Sequence, residues 1–220
     1  ALSHRTLLRP QSLAALSMAA PLLLIGGDSK VGVALKTYFP DAVATSRHVS
    51  GDCYLDLTDP ARSLASLPPS NAVVICAAMS GEAACRERPD LAEQVNVHAP
   101  QIIADYFCRQ GRAVIYLTSD AVGVDAGVYA STKLAGERAV KAAGGRILRL
   151  GKLLFPQVDD LFKAWARSLV AGQPVKAFTD RALAPIGVMD LQKGVELFLH
   201  NGEREGALLA KRYVCLLYTS

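Results

Sequence analysis

Leu22-Leu23-Leu24-Ile25-Gly26-Gly27-Asp28-Ser29-Lys30-Val31-Gly32 carries a short apolar run into a glycine-bearing turn, and a helical stretch follows to about Phe39. Four apolar residues broken by paired glycines read as a buried strand. The turn then reads as the first strand-to-helix crossover of a nucleotide-binding sheet. Glycine permits the tight turn and close backbone approach, while the free N–H groups and positive dipole of a helix start hold a pyrophosphate. Ser29 stands where a G-x-x-G-x-x-G pattern has its middle glycine. Its side chain crowds a phosphate unless the hydroxyl itself becomes a ligand. Asp28 adds a negative charge beside that anion, and a glycine-rich turn without any ligand is the competing reading.

Outward from this turn the pattern alternates. Ala42–Thr45 and Cys53–Leu57 read as strands, and Ala72–Ala77 is a continuous run of the kind buried on both faces. A long helix is expected from about Asp90 to Gln110, begun after Pro89 and stopped by Gly111. Ala113–Thr118 is the next strand, Val128–Ala143 the next helix, and Ile147–Leu150 another strand. This alternation predicts an α/β fold, a doubly wound parallel sheet with helices on both faces. After Gly151 the texture changes to helices around Asp160–Val170 and Asp190–Leu199, with an extended piece at Val175–Phe178. The expected division is a Rossmann-type NAD(P)-binding domain at 21–150 and a small, incomplete C-terminal substrate lobe at 151–214.

The end of the second strand bears on the choice of cofactor. An NAD site wants a carboxylate there for the ribose hydroxyls, but the sequence has Ser46-Arg47-His48. Arg47 suits a two-pronged contact with a 2′-phosphate, so NADP is favoured and NAD stays open; a solvated surface arginine is the plainer reading. Asp56-Leu57 is placed to face the adenine, or is a surface turn.

Tyr129-Ala130-Ser131-Thr132-Lys133 opens a predicted helix, which sets the phenol and the ammonium one turn apart on one face. An ammonium beside a phenol favours the phenolate, lowering a pKa from about 10 toward the range of a general acid or base. Ser119, ten positions upstream, closes the fifth strand at the edge where open α/β sheets bind ligands. A hydroxyl there can bond a carbonyl oxygen and stabilise the charge that builds as hydride arrives. Tyr-x-x-x-Lys alone recurs by chance; its position after the fifth strand, with Ser119 before it and the glycine turn at the first, gives it meaning.

These residues resemble the extended short-chain dehydrogenase/reductase family, most closely its dTDP-4-dehydrorhamnose reductase branch. The likeness is carried by Gly26–Gly32, Asp56-Leu57, Ala77-Ala78, Cys85–Val97 with Pro89 and Asn96, Thr118-Ser119-Asp120, Tyr129–Glu137, Ile147-Leu148-Arg149 and Pro185–Leu191. The resemblance implies Tyr129 as proton donor, Lys133 as its electrostatic partner and ribose ligand, and Ser119 as the hydroxyl that orients the carbonyl. It adds Ala77, Ala78 and Thr118 to a cofactor set of Gly26, Ser29, Lys30, Val31, Gly32, Ser46, Arg47, Asp56 and Leu57. NAD(P)H would deliver hydride to a 4-keto sugar on a nucleotide. The alternatives are an epimerase or dehydratase with tightly held NAD, and a non-catalytic NADP-binding regulatory subunit. The chain departs from the branch at Ser29, at Cys76 where asparagine is common, and in the nine residues between Ser119 and Tyr129, a shortened loop.

Composition excludes other classes. Of 220 residues 51% are hydrophobic and 20% charged, which suits one well-buried domain and not a disordered chain. No apolar stretch approaches a membrane span, and the net charge of +4 comes without a dense Lys/Arg run, so neither membrane nor nucleic acid is an expected partner. The partner expected is a small-molecule substrate, with a homodimer left open. Five cysteines without paired spacing and four scattered histidines point to a reducing compartment and no metal site. The cytoplasm is expected, or an organelle if residues 1–17, which contain Arg5 and Arg9 and no acid, are a transit leader. A translated stretch outside the fold is the other reading of residues 1–20, and 215–220 read as an artefactual tail on a truncated chain. Trp165 and His98 read as packing residues, and Arg181 as a loop arginine within reach of a diphosphate.

Overall fold

The computed structural model describes residues 21–48, 51–122, 127–156, 161–175, 182–201, 205–208 and 213–214. The segments expected at 1–20 and 215–220 lie outside the described residues, as do Arg181 and all but the first residue of Val175–Phe178.

Seven parallel strands form the sheet: β1 (Leu22–Ile25), β2 (Val43–Ser46), β3 (Cys53–Tyr54), β4 (Ala72–Ile75), β5 (Ala113–Ser119), β6 (Arg146–Leu150) and β10 (Glu205–Leu208). Their spatial order is β3-β2-β1-β4-β5-β6-β10. The chain winds outward from β1 in one direction and from β4 in the other, so the sheet reverses between β1 and β4. A crevice opens there at the carboxyl ends of the strands.

Strand alternation divides the core. Leu23, Ile25, Val73, Ile75, Val114, Tyr116 and Ile147 pack on one face with Ile103, Phe107 and Val140. These come from α5 (Ala99–Cys108) and α6 (Val128–Ala142). Leu24, Val74, Ile115, Leu117, Leu148 and Leu150 face the other way, against Ala34 and Leu35 of α1 (Lys30–Tyr38) and Leu191, Val195 and Phe198 of α8 (Val188–Asn201). A parallel sheet must be covered on both sides. The stretch expected in the C-terminal lobe supplies part of that cover: α8 lies on the sheet, and β10 extends it beside β6.

The long helix expected from Asp90 to Gln110 is broken. Two short helices, α2 (Ala61–Leu64) and α3 (Glu82–Glu87), precede it, and α4 (Pro89–Glu93) runs into a π-helical turn at Gln94–His98 before α5. Asn96 in that turn is fully buried. Its side chain accepts from the Met79 amide at 2.9 Å and donates to the Met79 carbonyl at 3.0 Å and to Thr132 Oγ1 at 3.2 Å. The wider turn swings one residue inward, a common use of π geometry. The remaining described elements are β7 (Lys152–Leu154), which pairs with β9 (Pro185–Gly187), α7 (Leu161–Val170), and β8 (Ala182–Leu183), which pairs with β11 (Tyr213–Val214). Among the described residues no helix is long and apolar enough to cross a membrane.

Candidate active site

Close contact shapes the glycine turn. Gly26 has φ of +83°, and a Cβ on it would lie 2.2 Å from the Ala77 Cβ. A Cβ on Gly32 would lie 2.2 Å from the Gly26 carbonyl oxygen, so helix and turn meet only because residue 32 is glycine. Ser29 is the N-cap of α1: its hydroxyl accepts from the Gly32 amide at 3.0 Å and donates to the Gly26 carbonyl at 2.8 Å. The hydroxyl proton is thus spent inside the turn. Gly26 and Gly27 donate to Thr45, through its Oγ1 and its carbonyl. Among the described residues the amides of Asp28, Lys30 and Val31 find no acceptor. The last two begin α1, where a helix offers bare donors and a positive field to an anion.

A cleft of about 360 Å³ opens from this turn at the β1/β4 reversal. Gly26, Ser29, Ser46, Arg47, Asp56, Leu57, Ala77 and Ala78 of the predicted cofactor set line it. Lys30, Val31, Gly32 and Thr118 do not, nor do Tyr129 and Lys133, which stand further along the carboxyl edge. Thr45, His48, Thr58, Met79, Leu91 and Val95 also line it. Sequence reading passed over them, although His48 sits beside Arg47 and Leu91 and Val95 share one helical face. Arg47 is exposed at the rim and its charge helps hold the Asp56 carboxyl below the ordinary range, after the larger effect of the Thr58 amide. Asp28 accepts a hydrogen bond from Ser46 at 2.9 Å. Cys76 bonds the Val74 carbonyl, and burial pushes its thiol up to about 12.

At the end of β5, the Ser119 hydroxyl stands near the Tyr129 phenol and lowers its pKa. Ser119 Oγ itself donates to Asp120 Oδ1 at 3.4 Å and accepts from the Ala121 amide at 3.2 Å. Burial pushes the Tyr129 phenol above its ordinary value; the Ser119 hydroxyl pulls it down, and Cys85 and Asp120 add to the rise. Lys133 lies one turn further along α6, 1% exposed. Its Nζ donates to the Leu117 carbonyl at 3.0 Å and stands 3.8 Å from the centre of the Tyr116 ring. Burial carries the amine down from 10.5 to about 7, with Glu137 and Cys85 opposing. The expectation that Lys133 would lower the phenol's pKa is therefore corrected. The amine is turned onto β5 and is itself poorly charged, so burial dominates the phenol.

The framework beneath the pair is polar and tightly packed. Glu137, 3% exposed, accepts from both arms of Arg149 on β6, at 2.8 and 2.5 Å. The Tyr116 hydroxyl donates to the Asn96 carbonyl at 2.9 Å. Among the described residues Thr118 Oγ1 is buried with no hydrogen-bond partner, beside the strand end where the site opens. The bare amides of α1, the glycine cradle against Ala77 and this orphaned hydroxyl fit a dinucleotide stretched along the carboxyl edge.

The family model of the RmlD substrate binding domain matches residues 20–209. The dTDP-4-dehydrorhamnose reductase of Mycobacterium tuberculosis, strain H37Rv, is 29% identical over 176 residues, 70% of this chain. The chain spans 58% of the length of that relative. A dTDP-4-dehydrorhamnose reductase of Bacillus anthracis, solved with NADP, superposes with a TM-score of 0.74 at 18% identity, over 89% of this chain and 76% of that one. A UDP-N-acetylglucosamine 4-epimerase of Methanobrevibacter ruminantium superposes at 0.71 and 16% identity, over 88% and 78%. At such identities the structures share the fold. The family match takes in the whole sheet, the glycine turn and the Ser119–Tyr129–Lys133 edge, and by it the chain belongs to the RmlD substrate binding domain family of extended short-chain dehydrogenase/reductases.

Proposed function

We propose that the chain is the cofactor-binding part of an NADP-dependent reductase that acts on a keto group of a nucleotide sugar, as a dTDP-4-dehydrorhamnose reductase does, with NAD as the lesser cofactor. Residues 21–150 hold the cofactor in this reading, and residues 151–214 contribute to the substrate side. The glycine cradle with its bare α1 amides, and Ser119 beside Tyr129 further along the same carboxyl edge, carry the proposal.

The bare amides of Lys30 and Val31 and the dipole of α1 would hold the pyrophosphate. Arg47 at the rim suits a 2′-phosphate, and Ala77 and Ala78 leave room along the cleft. Bound NADPH supplies the hydride. Ser119 donates toward the substrate oxygen and steadies its charge. Tyr129 gives that oxygen its proton; a phenol held above its ordinary value keeps that proton ready at neutral pH. Lys133, one turn further along α6, would hold the nicotinamide ribose in this reading.

Purified protein is expected to oxidise NADPH in the presence of a 4-keto sugar nucleotide. Tyr129→Phe is expected to lower turnover by at least about a hundred-fold, the scale of lost general acid catalysis, while NADPH still binds. Turnover unchanged by that substitution defeats the chemistry.

A second reading is favoured by the Lys133 amine, which is spent on the Leu117 carbonyl and the Tyr116 ring. It is an NADP-binding subunit without turnover. Tight NADPH binding with no oxidation across a panel of keto sugar nucleotides supports it.

A further inference from the structure

α6 begins without a cap of its own. Gly127 occupies the cap position and offers no side chain, and the first turn contains no acid. The missing cap comes from a residue 45 positions earlier. Glu82, first residue of α3, places one carboxylate oxygen 3.0 Å from the Val128 amide and the other 3.0 Å from the Tyr129 amide. Two donors that a helix start leaves bare are satisfied together, and a negative charge sits at the positive end of the α6 dipole.

The fit is reciprocal. A Cβ on Gly127 would lie 2.2 Å from Glu82 Oε2, so the carboxylate fits only because residue 127 is glycine. Gly81, at φ of +91° with open space around it, makes the bend that brings Glu82 round. Cys85 is the one buried residue of α3, and its thiol reaches back to the Met79 carbonyl at 3.5 Å. Met79 itself lines the cofactor cleft. A single segment, Met79–Cys85, therefore joins the wall of the cleft to the backbone of the residue that carries the phenol.

We propose that Glu82 is a positioning residue: its carboxylate fixes the first turn of α6 and so holds the Tyr129 phenol beside Ser119 at the end of β5. The inference rests on the reductase reading for its kinetic consequence, but not for its structural one. Glu82 touches no reacting atom in it; it acts through the backbone of Tyr129.

The test uses the full chain and the variants Glu82→Ala, Glu82→Gln and Glu82→Ala with Gly127→Asp. The phenol is titrated by ultraviolet difference, with Tyr129→Phe as the blank. In the parent it is expected to ionise above the ordinary tyrosine value; in Glu82→Ala, with the turn loosened and the phenol wetter, it is expected to move back down toward about 10. Turnover falls with it, by about a hundred-fold for a displacement near 1 Å, while the Kd for NADPH stays within about three-fold, the cradle being elsewhere. Glu82→Gln, whose amide can accept from only one of the two donors, falls between. Gly127→Asp supplies a local cap once the carboxylate is gone. It is expected to restore the titration and turnover in Glu82→Ala, yet to impair the parent, where it collides with Glu82. A phenol titration unchanged in Glu82→Ala, or a double variant no better than the single one, overturns the proposal. A parent that binds NADPH without turnover defeats the reductase reading and leaves the titration to decide Glu82.

Discussion

Gly26 bears two demands at once, a positive φ of 83° and contact with Ala77. Gly26→Ala meets both the strain of a left-handed backbone and the Ala77 side chain, and is expected to destabilise the fold by about 1–3 kcal/mol. A lowered urea midpoint and weaker NADPH binding would register it. Arg47 tests the opposite end of the cleft. If it meets a 2′-phosphate, Arg47→Ala should raise the Kd for NADPH about ten-fold, the loss of one charge-assisted contact. The Kd for NADH should hardly move. Fluorescence titration with both cofactors separates the two, and equal weakening would return Arg47 to an ordinary surface residue.

At the scale of the element, α6 is the part on which the site depends. Its inner face needs Gly136, where a Cβ would lie 2.0 Å from the Asn96 carbonyl oxygen, because the π turn crosses it there. One residue on, Glu137 is buried against Arg149. Removing the guanidinium leaves a buried carboxylate short of its main partner. Arg149→Leu is expected to cost about 3 kcal/mol, toward the lower end for broken buried pairs because the guanidinium is 39% exposed. Chemical denaturation reads this directly. Because β6 and α6 are pinned through that pair, the variant should also lose turnover at temperatures where it remains folded.

For the whole molecule, the buried amine sets a dependence of stability on pH. Lys133 titrates at about 7 in the fold, against 10.5 for the ordinary side chain. Between those values the unfolded chain binds a proton that the folded chain does not, so stability rises as pH rises through this window. Below it both states are protonated, and the fold carries the full cost of a buried ammonium. Lys133→Met should flatten the profile between about pH 7 and 10 in urea unfolding. Tyr116 and Tyr129 are both raised. Above about pH 10 the unfolded phenols ionise first and stability falls again.

Nearest-neighbour chemistry was enough to read the first six strands of the sheet and its main helices, the glycine turn, and the phenol and amine one helical turn apart, though not β10 or the short helices α2 and α3. Such patterns depend on residues a few positions apart, and periodicity records them. The broken helix at Asn96, the hydroxyl of Ser29 spent on its own turn, and the carboxylate of Glu82 on a distant helix start were not legible. Neither was the direction in which Tyr129 and Lys133 shift. Each depends on what lies across a packed interface: an amine's charge state follows from how much protein covers it, and a helix start is capped by whatever the fold carries to it. The order along the chain was therefore decided locally, and the chemistry of the edge only when seven strands and their helices closed around it.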